Sequence, residues 1–163
     1  MAPDKNTKLA LEWIVEIFQR HSVPFQISGG CAAKIYGSPR ELNDIDIDIP
    51  RDCFERILKD VSPYLTYGPA FFENEKWRLY LMTLNYEGQE IDIGEENACV
   101  SSVNGKNWIS LNTDFSKVEK RMFLGIEVPV MPREKLLEYK RHLCDEFGGI
   151  SQKTDVHFLE NLS

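Results

Sequence analysis

The chain is poor in the features that would commit it to a membrane, a disulfide scaffold or a nucleic-acid coat. No apolar run approaches the roughly 20 residues that cross a bilayer. Lys8 and Glu12 interrupt the N-terminal segment where a signal peptide needs an unbroken hydrophobic stretch. The four cysteines, Cys31, Cys53, Cys99 and Cys144, are widely and unevenly spaced, and no two form a C-x-x-C pair. That argues against a zinc site and a disulfide framework and for free thiols in a reducing cytoplasm. His21, His142 and His157 have no ligand spacing. Lysine and arginine (19) are outnumbered by aspartate and glutamate (26), giving a net charge of −7 and a pI near 5.0. A protein that coats phosphate backbones needs a basic face, so only a local basic groove remains compatible with nucleic acid. There is no internal repeat or low-complexity tract.

What is present fits one domain. The 163 residues are 42% hydrophobic. They read as a single domain over 1–163, with 132–163 as a C-terminal helical extension. Apolar residues at helical spacing predict a helix over 7–20, where Leu9, Trp13 and Ile17 share a side. A short strand over 25–28, a helix over 31–36 and a loop over 40–43 follow. After Pro50, the spacing of Phe54, Ile57, Leu58 and Val61 predicts a second long helix. Residues 65–72 read as irregular or as an edge strand, and 77–86 as a strand carrying Trp77, Leu79, Leu81 and Thr83 on one face. Glu87-Gly88 predicts a hairpin turn into a strand over 89–94. A short helix or turn is expected over 95–100 and a loop over 104–107, while 110–120 is polar without clear periodicity. A strand over 121–130, or a hairpin about Gly125, a helix opened by Pro132, an interruption at Gly148-Gly149 and a final helix over 151–162 complete the chain. The order predicts an α/β (α+β) fold with a mixed, mostly antiparallel-edged sheet flanked by helices.

Function concentrates in 27–50. Gly29-Gly30 lets the backbone turn sharply and a ligand approach it. A helix starting just after would aim free N–H groups and its positive dipole end at that space, as an anion site requires. Then Asp44-Ile45-Asp46-Ile47-Asp48-Ile49 alternates strictly. In a strand this sends three isoleucines to a core and three carboxylates to the opposite face. Like charges so placed repel unless neutralised, and a divalent cation is the simplest neutraliser. A single acid/isoleucine pair can be a solvated strand face. Here Glu90-Ile91-Asp92-Ile93 repeats the pattern on a second strand, and neighbouring strands lie only about 5 Å apart. Trp13, Trp77 and Trp108 read as core or cleft wall, with base stacking by Trp77 or Tyr80 as the alternative.

Ser28-Gly29-Gly30, with Arg40 four residues before Asp44-Ile45-Asp46-Ile47, resembles the signature of the DNA polymerase beta-like nucleotidyltransferase superfamily. The likeness is to its small bacterial and archaeal members, which include antibiotic nucleotidyltransferases and nucleotidyltransferase toxins. It covers 25–50 well, 77–94 fairly and 128–162 loosely. The resemblance implies a nucleotidyltransferase fold and a metal site of Asp44, Asp46 and Asp92, the three also being the catalytic residues. It places nucleotide on Ser28, Gly29, Gly30, Arg40 and Lys140, and turns Lys153-Thr154-Asp155 toward the site. Two Mg²⁺ ions, with Mn²⁺ as an alternative, are the implied cofactors. The implied reaction transfers NMP from an NTP, ATP by preference, to a hydroxyl of a small-molecule, RNA or protein acceptor and releases pyrophosphate. An oligomer is compatible, and a catalytically silent binding module is the alternative. The chain departs from the pattern at Cys31, and at Leu42 where many relatives carry Thr or Ser. Asp48 leaves Asp46/Asp48 as a second register for the metal pair, and the position of Arg40 favours Asp44/Asp46.

Overall fold

A computed structural model describes residues 5–102 and 106–162. Its elements run α1 (Thr7–Arg20), β1 (Gln26–Ser28), α2 (Gly29–Ile35), β2 (Asp44–Ile49), α3 (Phe54–Val61), β3 (Leu65–Glu73), β4 (Trp77–Tyr86) and β5 (Gln89–Glu95). They continue with β6 (Cys99–Ser102), β7 (Asn107–Ser110), β8 (Glu119–Phe123), β9 (Ile126–Val130), α4 (Arg133–Phe147) and α5 (Ile150–Glu160). The strands form one mixed sheet in the order β7-β6-β4-β5-β2-β1-β9-β8, with β3 also paired to β4. The β2/β5 and β1/β9 pairs are parallel and the other pairings antiparallel. Over its second half β4 lies between β3 and β5, since Leu81 and Thr83 pair with both.

The alternation in β2 and β5 decides which face of the sheet is dry. Ile45, Ile47 and Ile49 are at most 1% exposed, and Ile91, Ile93, Met82 and Leu84 are fully buried. They join Leu11, Ile14 and Phe18 of α1 and Phe54, Ile57 and Val61 of α3 in one core. Each such side chain contributes about 1.5–3 kcal/mol relative to exposure. The Asn6 side chain caps α1 by accepting from Leu9 N at 3.0 Å. Buried Gln89 ties the start of α1 and the loop before β2 to the sheet, accepting from Thr7 Oγ1 at 2.6 Å and donating to the Asn43 carbonyl at 2.9 Å.

The structure departs from the sequence expectations in three places. The helix expected from Cys31 begins two residues earlier, at Gly29, because Gly29 takes φ +58° and carries the chain from strand to helix without an intervening turn. Of the segment expected as helix or turn over 95–100, Glu96 and Asn97 do form a turn, but Glu95 ends β5 and Cys99 begins β6. The expected loop over 104–107 lies outside the described residues at 104 and 105, and Asn107 already opens β7. Both β6 and β7 are only four residues long and mix Val100, Trp108 and Ile109 with serine and asparagine, so their pairing rather than a clear pattern defines them.

Candidate active site

Strand register arranges the polar face into rows. One runs Thr83, Asp92, Asp46, Ser28 across β4, β5, β2 and β1. Beside it run Asn85, Glu90, Asp44 on one side and Leu81, Gly94, Asp48, Gln26 on the other. Directly paired residues share a face, so each row is a line of neighbouring side chains. Most of these residues line a cavity of about 940 Å³, whose far wall comes from α4, from the start of α5 and from β3.

The acids respond to one another. Asp46 is pushed up to about 8, by burial first and then by Asp92 and Asp44, with Lys140 pulling the other way. Glu90 rises to about 7, through its hydrogen bond to Asp44, burial and the nearby charges. Asp92 is raised by burial and held back by Thr83, whose Oγ1 donates to its Oδ1 at 2.8 Å. Asp48 rises to about 6 by burial, while Gln26 Nε2 donates to its Oδ2 at 2.8 Å. One carboxylate oxygen each from Asp44, Glu90 and Asp92 lies within 4.8 Å of the others. Oxygen donors only, crowded and short of counter-charge, are what a hard divalent cation takes. The residues therefore fit Mg²⁺ or Mn²⁺.

The two glycines make room for protein groups. A Cβ on Gly29 would lie 2.5 Å from Asp46 Oδ2, so Gly29 lets that carboxylate sit against the start of α2. A Cβ on Gly30 would lie 2.6 Å from an Arg40 guanidinium nitrogen. Cys31 is buried behind them, and burial followed by the Asp46 charge raises its thiol far above the ordinary range.

Of the expected nucleotide contacts, Ser28, Gly29, Gly30, Arg40 and Lys140 all line the cavity. The two cations are already engaged. Arg40 Nε and Nη2 donate to Asp155 Oδ1 and Oδ2 at 3.2 and 2.7 Å, Lys140 Nζ to Oδ2 at 3.1 Å, and Ser38 Oγ to Oδ1 at 3.0 Å. Asp155 is fully buried, and these donors hold it below the ordinary carboxylate range despite burial. Lys140 is 2% exposed and lowered by burial first. Lys153, expected to face the site, is exposed on α5 and does not line the cavity. Trp77 lines the cavity, whereas Tyr80 lies on the other face of β4, against Arg51 (3.4 Å to the ring centroid) and Phe54 (5.0 Å between centroids).

Sequence reasoning overlooked Glu90 and Thr83. Both were legible: Glu90 precedes Asp92 by two and so shares its face, and a hairpin closed at Glu87-Gly88 sets Thr83 opposite Asp92.

No protein-family model and no curated protein sequence matches the chain. Solved structures do. A Thermotoga maritima protein named as a candidate nucleotidyltransferase superposes with a TM-score of 0.66 at 22% identity, over 85% of this chain and 87% of that one. The lincosamide antibiotic adenylyltransferase LnuA, bound to lincomycin, gives a TM-score of 0.66 at 14% identity over 98% of this chain and all of that one. The antibiotic-resistance factor ANT(2'')-Ia gives 0.63 at 11% identity over 93% of this chain and 81% of its own. The chain has the nucleotidyltransferase fold expected from its motifs.

Proposed function

We propose that the protein is a divalent-metal-dependent nucleotidyltransferase that moves NMP from an NTP, ATP by preference, onto an acceptor hydroxyl. One observation carries this reading: Asp44, Asp46 and Asp92 line an open cavity, with Glu90 beside Asp44, bounded by Ser28 and the start of α2 on one flank and by Thr83 of β4 on the other. The fold likeness to adenylyltransferases supports transfer in general. Asp44, Asp46 and Asp92, with Glu90 as a further oxygen donor, would hold two Mg²⁺ ions, or Mn²⁺. When bound, the ions would neutralise the triphosphate and stabilise charge on the attacking and leaving oxygens.

The chain's own residues supply the remainder. Backbone N–H groups at Gly29 and Gly30 receive the terminal phosphates. Arg40 and Lys140, anchored by Asp155, present positive charge on the same flank. Asp92, oriented by Thr83, accepts the proton of the acceptor hydroxyl and passes it to solvent. The hydroxyl oxygen bonds to the α-phosphorus as the bond to pyrophosphate breaks, and pyrophosphate leaves with the electron pair. Positioning and charge stabilisation provide the rate. The neighbours bind lincomycin and adenylyl-tobramycin, so small hydroxylated acceptors come first for this chain.

The test is calorimetric titration of ATP with and without Mg²⁺, followed by pyrophosphate release over a panel of antibiotics, tRNA and proteins. Mg²⁺-dependent binding with acceptor-dependent release supports the reading. Binding without release across the panel favours a silent binding module instead, an outcome consistent with Arg40 and Lys140 both being paired to Asp155.

A further inference from the structure

The acidic patch has two flanks of different chemistry. On the β1 side lie Ser28, the Gly29-Gly30 backbone and the Arg40/Lys140/Asp155 cluster. On the β4 side, beyond Asp92 and Thr83, the cavity surface is apolar: Leu81, Leu79 and Trp77 follow at alternate positions down β4. Tyr139 of α4 continues it, its ring centroid 5.9 Å from that of Trp77. All four are half-buried, so their apolar surface is both dry-sided and reachable. Phe147 extends the surface, with Lys76 Nζ 5.1 Å from its ring centroid.

Phosphoryl displacement holds the attacking and leaving oxygens roughly in line on opposite sides of phosphorus. With pyrophosphate leaving toward the Gly29-Gly30 flank, the attacking hydroxyl enters from the β4 flank. The surface that meets the acceptor is then the apolar one. Among the described cavity-lining residues, the carboxylates are Glu41 on the Arg40 loop and Asp44, Asp46, Asp48 and Asp92 on the acidic strands. None belongs to β3, to α4 or to β4; the cations on this side are Lys76, between β3 and β4, and Lys140 of α4, which is already paired to Asp155. A polycationic acceptor would lose water on that wall without gaining a counter-charge. Gln152 Oε1, buried and without a hydrogen-bond partner, also lines the cavity and can accept from an uncharged hydroxyl.

We propose that the acceptor is a neutral hydroxylated small molecule with an apolar or aromatic body, seated on Trp77, Leu79, Leu81 and Tyr139, and that these residues set acceptor specificity. The inference rests on the transfer reading for its in-line geometry, whereas binding to the wall can be measured without turnover. The experiment uses the full chain with Mg²⁺ and ATP labelled at the α-phosphate. Phenyl β-glucoside serves as the neutral aromatic probe and tobramycin as the polycationic one. Tryptophan fluorescence reports binding, since Trp13 and Trp108 are not among the cavity-lining residues. The expected result is quenching and label transfer with the glucoside, quenching lost in Trp77→Leu, and neither signal with tobramycin. Leu79→Asp is expected to raise the KM for the glucoside at least about tenfold, by setting a carboxylate against its apolar body, with the KM for ATP unchanged. Trp77-dependent quenching without label transfer supports the assignment of ligand class and counts against the transfer reading. Label on tobramycin but not on the glucoside overturns the inference and leaves the transfer reading standing. Absence of quenching by the glucoside in the folded wild-type protein overturns it as well.

Discussion

Asp46 and Asp155 are carboxylates withdrawn from open solvent, and their surroundings are opposite. Asp155 receives Ser38, Arg40 and Lys140 and is held below its ordinary range. Asp46 faces Asp44, Asp48 and Asp92 and is pushed up to about 8. The first cluster is electrostatically closed: every charge has its partner inside the chain, which is how a fold keeps a buried ion stable. The second is open, since its acids outnumber the donors that reach them. An open cluster of one sign at the mouth of a cavity marks where a ligand of opposite charge completes the protein. Under the proposed function, the closed cluster is the flank where the phosphates of a metal-bound nucleotide would meet fixed positive charge.

Substitutions that open the closed cluster or close the open one test this contrast. Asp155→Asn strands Arg40 and Lys140, and is expected to lower stability by about 3–5 kcal/mol, read by urea denaturation at pH 7. The pH dependence follows from the same site. A lowered folded-state pKa gives stability that is present above the ordinary value of 3.8 and is lost as pH falls through the folded value. The wild type is therefore expected to lose stability below about pH 4 by more than Asp155→Asn does. Gly29→Ala forces a Cβ onto Asp46 at a left-handed φ, and is expected to cost at least about 1–2 kcal/mol and to weaken Mg²⁺ binding. Asp46→Asn removes one like charge. In the absence of metal it is expected to raise stability by about 1 kcal/mol, a figure discounted for the solvent that still reaches this partly buried group. Stability that instead falls on this substitution would mean that Asp46 is a satisfied structural residue. Thr83→Val takes the donor from Asp92 and is expected to cost about 1 kcal/mol of transition-state stabilisation, a roughly fivefold fall in kcat/KM with little change in the denaturation midpoint.

The open cluster was legible in the sequence because it is written in local periodicity. Strict acid/isoleucine alternation over 44–49 and again over 90–93 fixes strand, face and burial at once. The Glu87-Gly88 turn fixes the register of β4 on β5, both turn residues adopting positive φ. What period alone does not carry is the parallel pairing of β2 with β5, which sets Asp46 beside Asp92 and Asp44 beside Glu90. That pairing joins residues more than forty positions apart, and without it nothing gives Glu90 a role beside Asp44. The closed cluster was less legible still. Arg40, Lys140 and Asp155 stand on three separate segments, and only packing of α4 and α5 against the loop after α2 shows that the two cations share one buried carboxylate. The strands β6 and β7 escaped for a related reason: Ser101, Ser102 and Asn107 carry no strand preference, and their ladder is a tertiary fact.

The central claim is that the open cluster performs nucleotidyl transfer, and the most direct measurement is transfer of α-phosphate label with pyrophosphate release, in Mg²⁺, by the wild type and by folded Asp46→Asn and Asp92→Asn. The account expects equimolar label and pyrophosphate from the wild type and a fall of at least about a thousandfold in both variants, consistent with the loss of a group that acts on the reacting atoms. Full activity in folded Asp46→Asn would contradict it.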